Sequence, residues 1–335
     1  MTSSQFGRLM RVNALPLAIT SGIILYFAFH YLRFLDPLRP FGHWWVDNGV
    51  QFLIFVMLLI AFCKVDPHQM KPRRWHWYLI AIQILGSALL AAYLLWSHSE
   101  YSELIDGMIA CLICPTAAAA SVITGKLGGN ESTLTTYTLL SNTAAAIGIP
   151  LVFPLLQTGG NGLTVSGFVS DFYLVSIRIF PMLVLPLICA FALRYFARPV
   201  HHVIATKSKD LGFYLWAITL VSVSAKSMSN IVNSGESVGY LCLLALVGLL
   251  ACVLQFAGGK LIGNFEGQRI SAGQGLGQKN MAFGIWACYT YLSPAAAIAP
   301  GCYVLWQNII NSWQLWYKDR FDKKRACKGL PPYQE

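Results

Sequence analysis

Stretches of about 20 apolar residues recur from one end of this chain to the other, and that recurrence decides most of what it can fold into. A helix of that length crosses a hydrocarbon core of roughly 30 Å. Ten such runs can be drawn, at 15–32, 45–63, 77–96, 104–124, 134–156, 172–196, 213–232, 238–261, 270–292 and 294–317. A closed β-barrel would need alternating strands of about ten residues, and no such alternation is present. Only 11% of the 335 residues are charged, against roughly a quarter in a soluble protein, and the gaps between runs are too short for a soluble domain. The first run follows Arg8 and Arg11 and has no small-residue cleavage site after it, so it reads as a retained helix and not a signal peptide.

The formal charge of +10 invites a nucleic-acid reading, which its distribution argues against. With the N-terminus in the cytoplasm, 19 of the 24 Lys and Arg fall on the cytoplasmic side and two, Arg33 and Arg39, on the opposite side. This positive-inside pattern, kept through ten crossings, predicts cytoplasmic N- and C-termini and a multi-pass protein of the cell inner membrane. Anionic lipid accounts for the basic clusters, so the lipid bilayer is the expected partner and nucleic acid is not. Trp44, Trp45, Trp75, Trp77, Trp96, Trp313 and Trp316 stand at span ends, as an interfacial belt requires. The nine cysteines lie mostly inside apolar runs and read as small packing residues; Cys111 and Cys114 lack the second pair or the His of a metal site.

Ten spans divide into five and five, and an odd number turns the second half over in the membrane. The predicted organisation is an all-α membrane protein of two inverted five-helix repeats, 1–160 and 161–318, with a basic cytoplasmic tail at 319–335. Transporters of that kind place their sites at interrupted helices in equivalent positions of the two halves. Here the fourth span carries Pro115 within Cys114-Pro-Thr-Ala-Ala-Ala-Ala-Ser121, and the ninth carries Gly273, Gly275 and Gly277 within Gly273-Gln-Gly-Leu-Gly-Gln-Lys-Asn280. Pro115 and Lys279 both fall near the bilayer midplane, about 16 and 14 Å along their spans. Helix breaks are therefore expected at both places.

At these segments the sequence resembles the bile acid:sodium symporter family. The family's Cys-Pro-Gly-Gly-type segment is echoed at Cys114–Val122, and its Glu-x-x-x-Gln-Asn-Ser segment at Gln274–Asn280. Its Pro-Gly-x-x-Phe-x-x-Trp-His-Asn stretch is echoed at Pro300–Asn308. The resemblance implies ten helices in two inverted units, with the fourth and ninth broken and crossing, and import of organic anions with sodium. Carried over position by position, the family's sodium ligands fall on Gln83, Thr138, Ser121, Gln274 and Gln278. Gln274 replaces a glutamate, Lys279 replaces an asparagine, and Ala120 replaces a hydroxyl.

Those replacements remove the carboxylate that a buried sodium ion would be paired with. All acidic residues read as lying at span ends or in loops, whereas Arg178, Lys226 and Lys279 lie inside spans. The expectation is that the Lys279 ammonium takes the electrostatic role of the ion, leaving a degenerate sodium site and no cofactor. Lys279 can then hold a small organic anion, aided by half-helix N-termini, or release its proton, since burial disfavours a charged amine. Thr116, Ser121, Asn280, Gln307 and Asn308 are expected to flank it as the substrate site. A secondary transporter working by alternating access follows, proton-coupled or facilitative, with conventional sodium symport as the alternative. A sensor or a membrane enzyme is weaker: no signalling domain is attached, and no nucleophile–base pair or His-Glu-x-x-His motif can be assembled.

Overall fold

The computed structural model describes residues 14–65, 70–97, 101–157 and 164–335. Arg8, Arg11 and the repeat boundary drawn at 160 lie outside them. Most of the described residues are helical: α1 (Ala14–Tyr31), then short helical turns over Arg33–Leu38, Arg39–Trp44 and Trp45–Gly49 that lead into α2 (Val50–Cys63), and α3 (Arg74–Ser97), α4 (Ser102–Ile113), α5 (Ala120–Leu127), α6 (Glu131–Gln157) and α7 (Val165–Leu183). There follow α8 (Leu185–Phe196), α9 (Arg198–Lys207), α10 (Lys209–Asn233), α11 (Val238–Asn264), α12 (Arg269–Gly277), α13 (Met281–Tyr291) and α14 (Ile298–Ala326).

Among the described residues, six helical stretches are long and apolar enough to cross a membrane by themselves: Arg33–Cys63, Arg74–Ser97, Glu131–Gln157, Val165–Phe196, Tyr214–Asn233 and Val238–Asn264. The fourth and ninth predicted spans do not qualify, because each is divided into two helices of 8 to 12 residues. The tenth is continuous as α14 but carries Gln307, Asn308, Asn311 and Gln314, which lower its hydropathy. The segment drawn as a tail from 319 is helical as far as Ala326.

The described residues pack as two units, those within 1–64 with those of 185–236, and those within 65–184 with those of 237–335. In the first, α1 lies against α10 so closely that a Cβ on Gly22 would meet the Val221 carbonyl. Trp45, in a π-helical turn leading into α2, donates from Nε1 to Ser222 Oγ at 3.0 Å. Asp47 of the same turn is an electrostatic partner of Lys226.

In the second unit, Gly259 and Gly263 of α11 meet the backbone of α12 and its approach, where a Cβ would collide with Ala272 O and Gln268 O. This is the small-residue spacing that lets membrane helices approach at backbone distance. Trp75, Leu79, Ala120, Leu134, Tyr137, Ala272 and Leu276 close a core between α3, α5, α6 and α12. Leu246, Leu250 and Leu254 instead line an exposed face of α11 at helical spacing. Such faces are stable against lipid, not water.

Candidate functional site

Helix α4 stops at Ile113 because Pro115 follows it, and the chain runs non-helically until α5 starts at Ala120. Helix α12 stops at Gly277 and α13 starts at Met281. The two short gaps pair antiparallel: Ala117 N–H donates to Gln278 O at 2.9 Å, and Asn280 N–H to Pro115 O at 2.8 Å. Thr116 and Lys279 face each other across this bridge, both fully buried.

A helix that ends inside a protein leaves its last carbonyls without donors, and at α4 side chains from elsewhere in the unit supply most of them. Ala110 O takes the Cys114 N–H, while Cys111 O accepts from Gln255 Nε2 at 3.1 Å and Ile113 O from Gln83 Nε2 at 2.8 Å. Leu112 O and Cys114 O both accept from Lys279 Nζ, at 3.0 and 2.8 Å. The Lys279 amino group thus sits at the negative end of the α4 dipole, bonded to carbonyl oxygens. Half-helix N-termini also reach the crossover, at Ala120 and Met281, while Nζ bonds to the α4 carbonyls.

Three other oxygens around the crossover accept from hydroxyls. Gln83 Oε1 accepts from Ser141 Oγ at 2.8 Å, Gly275 O from Thr116 Oγ1 at 2.7 Å, and Gly277 O from Tyr303 OH at 2.8 Å. Ser141 Oγ also accepts from Thr116 N–H. Gln274 is fully buried and donates to Asn311 Oδ1 at 3.0 Å and to Gln314 Oε1 at 3.5 Å. Its own Oε1, and that of Gln278, have no hydrogen-bond partner among the described residues.

Thr116, Gln83, Lys279, Asn280 and Gln307 therefore converge on the crossover, with Gln307 Oε1 accepting the Lys279 N–H at 3.0 Å. Asn280 also caps α13 by accepting the Phe283 N–H. Ser121, Thr138 and Asn308 bond within their own segments, to Ala118 O, Leu134 O and Val304 O. Gly273, Gly275 and Gly277 lie inside α12, just before the break, where a Cβ would press on Lys260, Tyr137 and Phe256.

Ser141, Gln255, Tyr303, Asn311 and Gln314 were not among the expected site residues. For two of them a signal exists: Asn311 and Gln314 follow Gln307 at i+4 and i+7, a polar stripe on an otherwise apolar stretch of helix. One acid that stands at a span end is nonetheless buried. Asp106 is 8% exposed in α4, with Oδ1 lacking a hydrogen-bond partner among the described residues. It stands six residues before Leu112, roughly 9 Å along the helix. Of the other cations that the sequence puts within spans, where Arg178 reads as interfacial and Lys226 as able to snorkel toward water, Arg178 is exposed and Lys226 half-buried.

A family model described as the SBF-like CPA transporter family matches residues 17–312. No curated protein sequence matches the chain.

Proposed function

This chain belongs to the SBF-like CPA transporter family, and we propose that it carries a small organic anion across the cell inner membrane with Lys279 as a resident cation in place of a coupled sodium ion. The observation that carries the proposal is the fully buried Lys279 side chain, whose Nζ donates to the Leu112 and Cys114 carbonyls. The hydroxyls of Ser141, Thr116 and Tyr303 on neighbouring oxygens support it, because those oxygens already have protein donors. Carbonyl dipoles hold the ammonium without cancelling its charge, so the crossover favours a negatively charged ligand.

The architecture proposed is ten spans in two inverted repeats, 1–160 and 161–318, with crossing fourth and ninth helices and both termini in the cytoplasm. Support comes from the composition of the two units. One takes spans one, two and seven with the latter part of span six, and the other takes three to five and eight to ten with the remainder. Equivalent pieces of both halves are grouped together, as symmetry-related repeats would group them. Alternating access would then move one set against the other.

A second reading, conventional sodium symport, draws on the buried amide oxygens of Gln274 and Gln278 that have no donor among the described residues. Uptake of an organic-anion panel into proteoliposomes, under imposed sodium or pH gradients, separates the two. Uptake that persists when potassium replaces sodium is expected, and the pH arm distinguishes proton release by Lys279 from facilitated passage. A strict sodium requirement would refute the proposal. Binding without flux would make the protein a sensor.

A further inference from the structure

The residues after α14 turn back along the protein and end against α12. Arg325 Nε donates to Pro331 O at 2.8 Å, Tyr333 N–H donates to Asp322 Oδ1 at 3.0 Å, and the Tyr333 ring meets Phe321 edge-on at 6.2 Å. These contacts deliver Glu335 to the start of α12, where its carboxylate accepts from Ile270 N–H, from Ser271 N–H at 3.1 Å and from Ser271 Oγ at 2.8 Å. The Glu335 N–H donates to Gly128 O at 2.7 Å.

A helix start will attract any carboxylate, so these bonds alone would say little. Gly128 adds an independent observation. It ends α5 with φ 87°, and a Cβ there would collide with Tyr333 O, so a notch of backbone admits the returning chain. Asn130 N–H donates to the same Ser271 Oγ that meets Glu335, at 2.9 Å. The returning chain thus joins the C-terminal end of α5 to the N-terminal end of α12.

Those two helices are halves of the interrupted pair, and their opposite ends lead into the crossover, α5 beginning at Ala120 and α12 ending at Gly277. Each is a rod of 8 or 9 residues, about 12–14 Å long. Tying their far ends restrains how the near ends can part. We propose that residues 327–335 are a strap that locks the crossover, and that its release permits the crossover to rearrange. The purpose of that rearrangement rests on the transport reading, whereas amide exchange at the crossover reports the lock whether or not anything is transported.

Hydrogen–deuterium exchange on the purified protein tests the strap, comparing wild type with Glu335→Ala and with a chain stopped after Leu330. The reporters are Ile270 and Ser271 N–H at the strap, and Ala117 and Asn280 N–H at the crossover. Both variants are expected to exchange at least tenfold faster at all four positions, with α1 and α10 unchanged. Wild-type rates at Ala117 and Asn280 in both variants would overturn the lock. So would an equal acceleration in α1 and α10, which would mean a general loss of fold.

Discussion

On the proposal that the wild type does not bind sodium, the double substitution Lys279→Asn with Gln274→Glu should yield a protein that sodium stabilises. The wild-type ammonium makes two charge-assisted bonds, at 3.0 and 2.8 Å, and such bonds contribute about 1.5–3 kcal/mol each. Against that roughly 3–6 kcal/mol stands the desolvation of an ammonium held by carbonyls and not by a carboxylate, itself several kcal/mol. The two nearly offset, so removing the side chain should leave the fold standing. It would also leave Leu112 O and Cys114 O without a donor, and the carboxylate introduced at position 274 would add the negative charge that a buried cation needs.

If the remade site binds sodium with a dissociation constant of roughly 10 mM, 100 mM sodium stabilises the folded state by about 1.4 kcal/mol. For a chain of this size that is a rise in melting temperature of about 2 °C. Thermal unfolding of purified protein in sodium chloride and in choline chloride, at equal ionic strength, measures it. The double variant should show the rise and the wild type should not. A wild type stabilised by sodium to the same extent would refute the reasoning, and so would a double variant that sodium leaves unmoved.

Ser141→Ala removes the acceptor of Thr116 N–H and the donor to Gln83 Oε1, stranding two buried groups; a loss of about 2–4 kcal/mol should lower the melting temperature by several degrees. Gly259→Leu should greatly reduce the monodisperse fraction on size exclusion, because a side chain there meets the Ala272 backbone, whereas Gly212→Ala, with nothing within 4 Å, should be neutral or stabilising by up to about 1 kcal/mol. Burial alone would raise the Asp322 carboxyl, but the bonds from Lys318 and from Tyr333 N–H outweigh it and hold it below the ordinary range. A depressed carboxyl contributes above its free value and loses that contribution as pH falls through the lowered one. Protection of Tyr333 N–H, corrected for intrinsic exchange, should therefore not decline on this account until below about pH 4.

What could be read from the sequence and what could not divides along a physical line. Apolar length announces a membrane helix wherever it occurs, and Pro115 announces the end of α4 because it removes a donor. A backbone carbonyl announces nothing, since every residue has one. Which carbonyls lack partners depends on where a helix stops, and which side chain reaches them depends on the crossing of two segments more than 150 residues apart. Lys279 was therefore legible as an intramembrane cation, while Leu112 and Cys114 were not legible as its acceptors. The same holds for Ser141 and Gln255, polar residues whose partners, Gln83 Oε1 and Cys111 O, come from other helices.

The direction of Lys279 Nζ changes how its charge should act. A lysine facing the N-termini of α5 and α13 would add its charge to theirs and present an open site to an anion. Facing the α4 carbonyls, it completes a broken helix, and on the transport proposal an anion would have to compete with Leu112 O and Cys114 O or meet the amino group after a shift of the crossover. Substrate affinity and the opening of the crossover then become linked, because a ligand can shift that equilibrium only by its differential affinity for the two arrangements. On the transport proposal, a residue that supports this arrangement and is needed in another would make conformational change depend on substrate, and that role would call for a cation fixed to the chain, one that could not leave with the cargo.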